Sequence, residues 1–253
     1  MRSTSWLVAG LGLCVGLMGC GDSGGGSAGS GTGGDGGGDG GGGSGGTVPM
    51  TAIQGTVTLA GEGDDPPPAE GATVSVVGTS ILTTTDSEGD FTFEVPVGEN
   101  FLMASAPTNW GTIELIDVPM AGGTFDMEVV PDALVTQIAE GLDEPADTDL
   151  GMATVHFDLG DDEPVGGETA TLSDILGATF SFAWTAGGLP MLTPSLLPGG
   201  LSDLIFVNVA VTSELTASPM GAEGWTCVLE SPGTEYPVVA KAITDIEVAC
   251  TEN

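Results

Sequence analysis

Between residues 50 and 130, apolar side chains recur at every second position in short runs. Gly, Pro and Asp break each run before a helical period can establish itself. Ile53, Gly55, Val57 and Leu59 alternate with Gln54, Thr56 and Thr58, which predicts a strand. Asp64-Asp65-Pro66-Pro67-Pro68 predicts a loop, because three prolines cannot feed a sheet ladder. Ala72–Val77 and the β-branched segment Ser80–Thr85 predict two further strands. Asp86-Ser87-Glu88-Gly89 predicts a turn, with Gly89 supplying the positive backbone angle that a hairpin needs. Phe91, Phe93 and Val95 then share one face of a fourth strand, the two phenylalanines pointing inward together. Asn100–Ala106, Gly111–Val118 and Thr124–Val130 complete a set of about seven strands, the signature of a sandwich.

The residues of this segment resemble a known family. Gly55-Thr56-Val57, Gly71-Ala72-Thr73-Val74, Thr84-Thr85-Asp86 with Gly89, and Phe91-Thr92-Phe93-Glu94-Val95-Pro96-Val97-Gly98 fall in an order similar to the carboxypeptidase regulatory-like domain. The resemblance covers about residues 50–130 and implies a transthyretin-like (prealbumin-like) β-sandwich. It implies no peptidase activity, since that domain is an appendage of peptidases and not their catalytic part.

The pattern changes after Pro131. Leu134, Val135, Ile138 and Leu142 follow helical spacing, Asp132 is placed to cap, and Gly141 lies near the end. A short helix is expected there. Residues 148–253 then echo the first unit faintly. Val165–Leu172 parallels Ala69–Val76, and Phe206-Val207-Asn208-Val209 parallels Phe93-Glu94-Val95-Pro96, with a Pro- and Gly-rich loop inserted around Thr185–Gly200. The expected fold class is all-β: two small antiparallel β-sandwich domains, 49–131 and 148–253, joined by a short helix and linker at 132–147. A single larger sandwich is the alternative for the second unit.

What precedes residue 49 is of another kind. Arg2 and the apolar run Trp6–Met18 are too short for a transmembrane helix, which needs about 20 residues, and suit a signal-peptide core of about 7–15. Residues 1–19 are therefore expected to be a cleaved export signal. Leu17-Met18-Gly19-Cys20 resembles the lipobox of bacterial lipoproteins, which implies a diacylated Cys20 at the mature N-terminus. Two acyl chains suffice for stable anchoring. A plain secretory signal with an incidental Cys20 is the alternative. Residues 21–46 are mostly glycine, with nothing more apolar than Ala28, so 20–48 is expected to be a lipidated, disordered linker spanning about 25–30 Å.

Charge narrows the partners. The formal net charge is −34, and once Arg2 is removed Lys241 is the sole Lys or Arg. Nucleic acid is excluded as a partner, because its affinity comes from Lys and Arg neutralising phosphates. The expected partners are the membrane, through the lipid, and a protein or glycan of the cell envelope. Export also places Cys227 and Cys250 where disulfides persist, so the two are expected to be joined, the bridge contributing about 3 kcal/mol; a two-cysteine metal site is the alternative.

Candidate chemistry is sparse. His156 is the one histidine, on the polar face of an alternating strand and sharing that face with Asp158. No Gly-x-Ser-x-Gly elbow or second histidine accompanies it, so it reads as a surface residue. Asp86, Glu88 and Asp90 alternate around Gly89 in part like a calcium loop, and two further acidic clusters surround Asp158 and Asp147. Trp110 and Trp225 lie beside glycines, as sugar-stacking loop residues do, whereas Trp184 is in phase with Phe180 and Phe182 and belongs to the core. The reading is a non-enzymatic, cofactor-free envelope lipoprotein that makes a protein contact or acts as a spacer. It faces the periplasm or cell surface, and the outer membrane is favoured because Gly21 is no obvious retention signal. A carbohydrate- or Ca2+-binding module is the alternative.

Overall fold

The computed structural model describes residues 48–61, 66–160, 162–173 and 175–253. The signal segment, Cys20 and the glycine-rich linker lie outside the described residues. The protein is all-β, with one short helix among the described residues.

Eight strands precede the helix: β1 Met50–Leu59, β2 Thr73–Val76, β3 Leu82–Thr84, β4 Asp90–Pro96, β5 Gly98–Ser105, β6 Asn109–Val118, β7 Gly123–Thr124 and β8 Met127–Pro131. Helix α1 spans Asp132–Leu142. Ten strands follow it: β9 Gly151–Asp158, β10 Thr169–Leu172, β11 Ile175–Trp184, β12 Pro190–Leu192, β13 Asp203–Val209, β14 Thr212–Leu215, β15 Ala217–Met220, β16 Trp225–Leu229, β17 Tyr236–Val238 and β18 Ala242–Glu252.

In the first half, β1, β4, β7 and β8 form one layer and β3, β2, β5 and β6 the other. Alternate residues of both layers make the core, among them Ile53, Val57, Val74, Phe91, Leu102, Ile116 and Val129. Phe91 and Phe93 meet edge to face with ring centres 6.0 Å apart. Gly89 has φ +81° and its N–H donates to the Asp86 carbonyl, as the turn requires. The strand expected over 124–130 is divided into β7 and β8 around Phe125, whose N–H donates to the Gln54 carbonyl.

In the second half, β12, β11, β13, β9 and β18 follow one another in a single sheet. One face packs on β10, β14, β15, β16 and β17 through Val155, Phe157, Phe206, Leu215, Tyr236 and Ile246. The opposite face is covered by α1, which sets Val135 and Leu142 against Met152, Phe182, Trp184, Ile205, Val207 and Ile243. All seven residues of β13 are therefore buried. Cys227 and Cys250 are bonded to each other at directly opposed positions of β16 and β18.

Strand β18 joins the halves. Along one edge it runs parallel to β9 from Ile243 to Ala249. Along the other it runs parallel to β6 for three residues, Ala242–Thr244, and then pairs antiparallel with β16 from Val248 to Glu252. The long sheet thus continues from β12 through β18 and β6 to β3.

The caps of α1 differ from expectation. Asp132 makes no cap hydrogen bond, because its Oδ2 lies 2.9 Å from Lys241 Nζ. Asp143, not Gly141, takes the left-handed C-terminal position, and its N–H reaches the carbonyls of Ala139 and Glu140. Lys241 adds main-chain ties: its N–H donates to the Leu150 carbonyl and its carbonyl accepts from Gly111.

Gly55 of β1 lies hard against the main chain of Phe125, between β7 and β8. A Cβ built there would lie 1.8 Å from the Phe125 carbonyl oxygen and 2.9 Å from Phe91 Cζ. Backbone cannot retreat as a side chain can, so Gly55→Ala should destabilise the protein by about 3 kcal/mol, the upper range of overpacking costs. Urea unfolding checks this, and an unchanged midpoint would contradict the observed packing.

Candidate functional site

The residues proposed for ligands on sequence grounds do not converge. Trp110 is 2% exposed, on β6 opposite Val130, and packs under α1, so it is not a loop residue and presents no face to a sugar. Trp225 begins β16, half-buried against the core on the other side of the sheet. The expected sugar platform of Trp110 and Trp225 is corrected accordingly. Trp184 is core, 5.7 Å from Phe182 in an edge contact. Asp86, Glu88 and Asp90 occupy the turn between β3 and β4, where Asp86 Oδ1 accepts the N–H groups of Glu88 and Asp90. That carboxylate oxygen closes the turn, and Glu88 Oε2 accepts from Ser87 Oγ. Among the described residues, no three His, Cys, Asp or Glu side chains are grouped so as to hold a metal ion.

Titratable groups gather elsewhere, on the α1-facing side of the long sheet. Strand register sets Glu247 of β18 opposite His156 of β9, and His156 opposite Asp203 of β13. Directly opposed residues share a face, so the three side chains form one row. His156 Nδ1 donates to Asp203 Oδ1 at 2.9 Å, with His156 5% and Asp203 3% exposed. One step along the same face, Asp245 stands opposite Thr154. On β6, Glu114 follows Thr112, which stands opposite Ile243. Beside it, Thr112 Oγ1 donates to the carbonyl of Glu128, a buried residue of β8.

This placement corrects the reading of His156 as a surface residue paired with Asp158. Alternation marks a polar face, but His156 is buried on that face and its partner is Asp203, 47 residues away in sequence. The sequence did carry a signal: Asp203 is the one charged residue of a strand that is otherwise apolar apart from Asn208.

Electrostatics at the row follow from crowding without cations. Burial pushes Glu114 up to about 8, helped by the charges of Glu128, Glu247 and Asp126. Burial raises Asp245 well above the usual carboxylate range, with Glu247, Glu114 and Asp203 adding to it. Burial also raises Glu247, against the opposing pull of His156. For His156, burial works against the charged ring, but the hydrogen bond and charge of Asp203, with Glu247 and Asp158, outweigh it and raise its affinity for a proton. Such an arrangement raises the proton affinity of the row as a whole. His156 Nδ1 is committed to Asp203.

A second surface feature stands apart from this row. No charged residue occurs from Ile175 to Ser202, in a chain with 36 Asp and Glu. Ile175, Leu176, Leu189, Met191 and Leu192, all exposed, lie within it. Strand β12 is the edge of the sheet. The Leu189 carbonyl and the Thr193 N–H bond inward to Thr185 and Ser181. By alternation, positions 190, 192 and 194 point outward, and two of these are prolines. Leu192 is thus the one outward N–H donor of the three, which blunts the edge against strand addition.

No family model matches this chain, and no curated protein matches it. Among solved structures it is similar to a type II cohesin-X-dockerin complex from Acetivibrio cellulolyticus, at 16% identity over 39% of this chain and 78% of that one, TM-score 0.28. It is also similar to the shaft pilin SpaA from Lactobacillus rhamnosus GG, at 11% identity over 81% and 99% of the two chains, TM-score 0.27. A DUF3823 family protein from Parabacteroides merdae gives 12% identity over 72% and 91%, TM-score 0.25. At scores this low the likenesses carry no argument about this protein.

The proton affinities fix a direction with pH. Glu114 binds its proton more tightly folded than unfolded, so the folded state holds the extra proton between about pH 4.5 and 8. Its favourable share is complete below the lower value and lost as pH rises to the upper one. His156, also raised, acts in the same direction. A tenfold change in proton affinity is worth about 1.4 kcal/mol. Water at the half-buried carboxylate screens part of the shift, so the loss due to Glu114 should be on the order of 2 kcal/mol. Denaturant titrations from pH 4.5 to 8.5 should show stability falling, and Glu114→Gln should flatten the slope. A rise with pH would refute the assignment.

Proposed function

We propose that this protein is an exported bacterial lipoprotein, held by acyl chains on Cys20, whose β-sandwich body serves protein contact or spacing in the cell envelope and not catalysis. The reading includes membership of the carboxypeptidase regulatory-like family for residues 50–130, a seat in the outer membrane facing periplasm or surface, and no cofactor. The Cys227–Cys250 bond supports export, since disulfides persist in oxidising compartments.

The observation that carries the contact role is the uncharged stretch 175–202 with its exposed apolar side chains. A polyanionic body repels anionic neighbours over most of its surface, and this edge is where a partner approaches without that cost. The partner is a neighbouring envelope protein with an uncharged apolar face. It packs on side chains, because Pro190 and Pro194 deny it a strand ladder.

Two measurements test the proposal. Cells fed labelled palmitate should incorporate it into the wild-type chain and not into Cys20→Ala, which should leave the membrane fraction; an intact Met1 and unmodified Cys20 in the wild type would overturn the address. A photo-crosslinker at Met191 in intact cells should give a discrete adduct that a crosslinker at exposed Glu88 does not, and Leu189→Asp with Leu192→Asp should remove it. Equal labelling from both positions would overturn the contact role.

A further inference from the structure

The β6–β18 junction is short, and carboxylates stand where it ends. The two strands pair from Ala242 to Thr244 and from Gly111 to Ile113. The β16 pairing begins only at Val248, so residues 245–247 lie between the two partners, with Glu247 accepting the Glu230 N–H through its carbonyl. Into this gap fall Asp245 and Glu247 on β18, and Glu114 on β6 as that strand departs into the first half. Facing them are Glu128 of β8 with Asp126 just before it, His156 and Asp158 of β9, Asp203 of β13, and Glu230 following β16. His156 is the one group among these that becomes positive on binding a proton, and it is bonded to Asp203. Lys241, at the start of the junction, is occupied by Asp132.

We propose that the β6–β18 junction is a proton-operated seam: carboxyls that hold protons let the two strands pair, and losing those protons releases β6 from β18. The physical reason is that carboxylates drawn together in a poorly solvated place repel, and the cheapest relief is distance. Three residue pairs of parallel ladder are a weak restraint against such repulsion. Elsewhere β18 is tied more strongly, by seven residue pairs to β9 and by the disulfide to β16. Local opening at the seam therefore costs less than loss of either half. The proton affinities of Glu114, pushed up to about 8, and of Glu247, pushed up to about 7, put the expected transition between neutrality and mild alkali, and Asp245 is raised in the same direction.

Hydrogen exchange of the full chain tests this, with protection taken relative to the intrinsic rate at each pH. Gly111 donates to the Lys241 carbonyl across the seam and reports on it directly. Between about pH 6 and pH 9, protection in peptides covering 111–113 and 242–244 should fall by about tenfold or more beyond any fall in the β1–β4 pair, which follows global stability. Glu114→Gln with Asp245→Asn should abolish the fall. If seam and β1–β4 peptides change together, or the seam stays closed at pH 9, the proposal fails on the wild type alone. A fall that persists in the double variant would equally overturn it.

Discussion

A strand has two edges, and in β18 both are spent. Its β9 edge builds the second half, and its other edge is shared between β6 and β16. That sharing decides much else. Parallel partners on both sides require that β6, β18 and β9 all run the same way, so the chain must cross over between them. Helix α1 lies on the crossover from β8 to β9 and buries Val135 and Leu142 against the sheet face that β9 and β13 present. The central strands are thereby covered on both faces around Met152, and β9 is buried at every position but Asp158.

Burial on both faces explains the acidic row as well. A carboxylate on a one-sided sheet would sit in water. Here the α1 side of the sheet is apolar at one end, around Met152, Ile205 and Val207, and acidic at the other, around His156, Asp203 and Glu247. The helix covers the first end well. At the second end the single imidazole faces several carboxyls, and protons supply the neutralisation that cations provide in less acidic proteins.

Much of the strand order was legible in sequence. Period-two runs found β1, β2, β4, β5 and β6, the 3.6-residue period found α1, and the two late cysteines found their partner. These signals are local or depend on compartment. What could not be read was long-range. The alternation around His156 correctly separated two faces, yet nothing nearby said that the polar one would be buried. Trp110 beside Gly111 looked like a loop tip because glycine is a turn signal. In the fold, Gly111 instead lets β6 pass close to β5: a Cβ there would stand 2.6 Å from the Ala104 carbonyl oxygen. The acidic row draws on three strands far apart in sequence, so no motif spacing encodes it.

The position of β1 bears on how the body would carry a mechanical load. The described chain enters through residue 48 directly into β1, which lies between β4 on one side and β7 and β8 on the other. It is antiparallel to the first over seven residue pairs and parallel to the others. A pull applied at residue 48 would act lengthwise on this interior strand, so its hydrogen bonds would bear the strain together in shear instead of parting one by one like a zip. A body pulled by its middle strand resists being unravelled from that end.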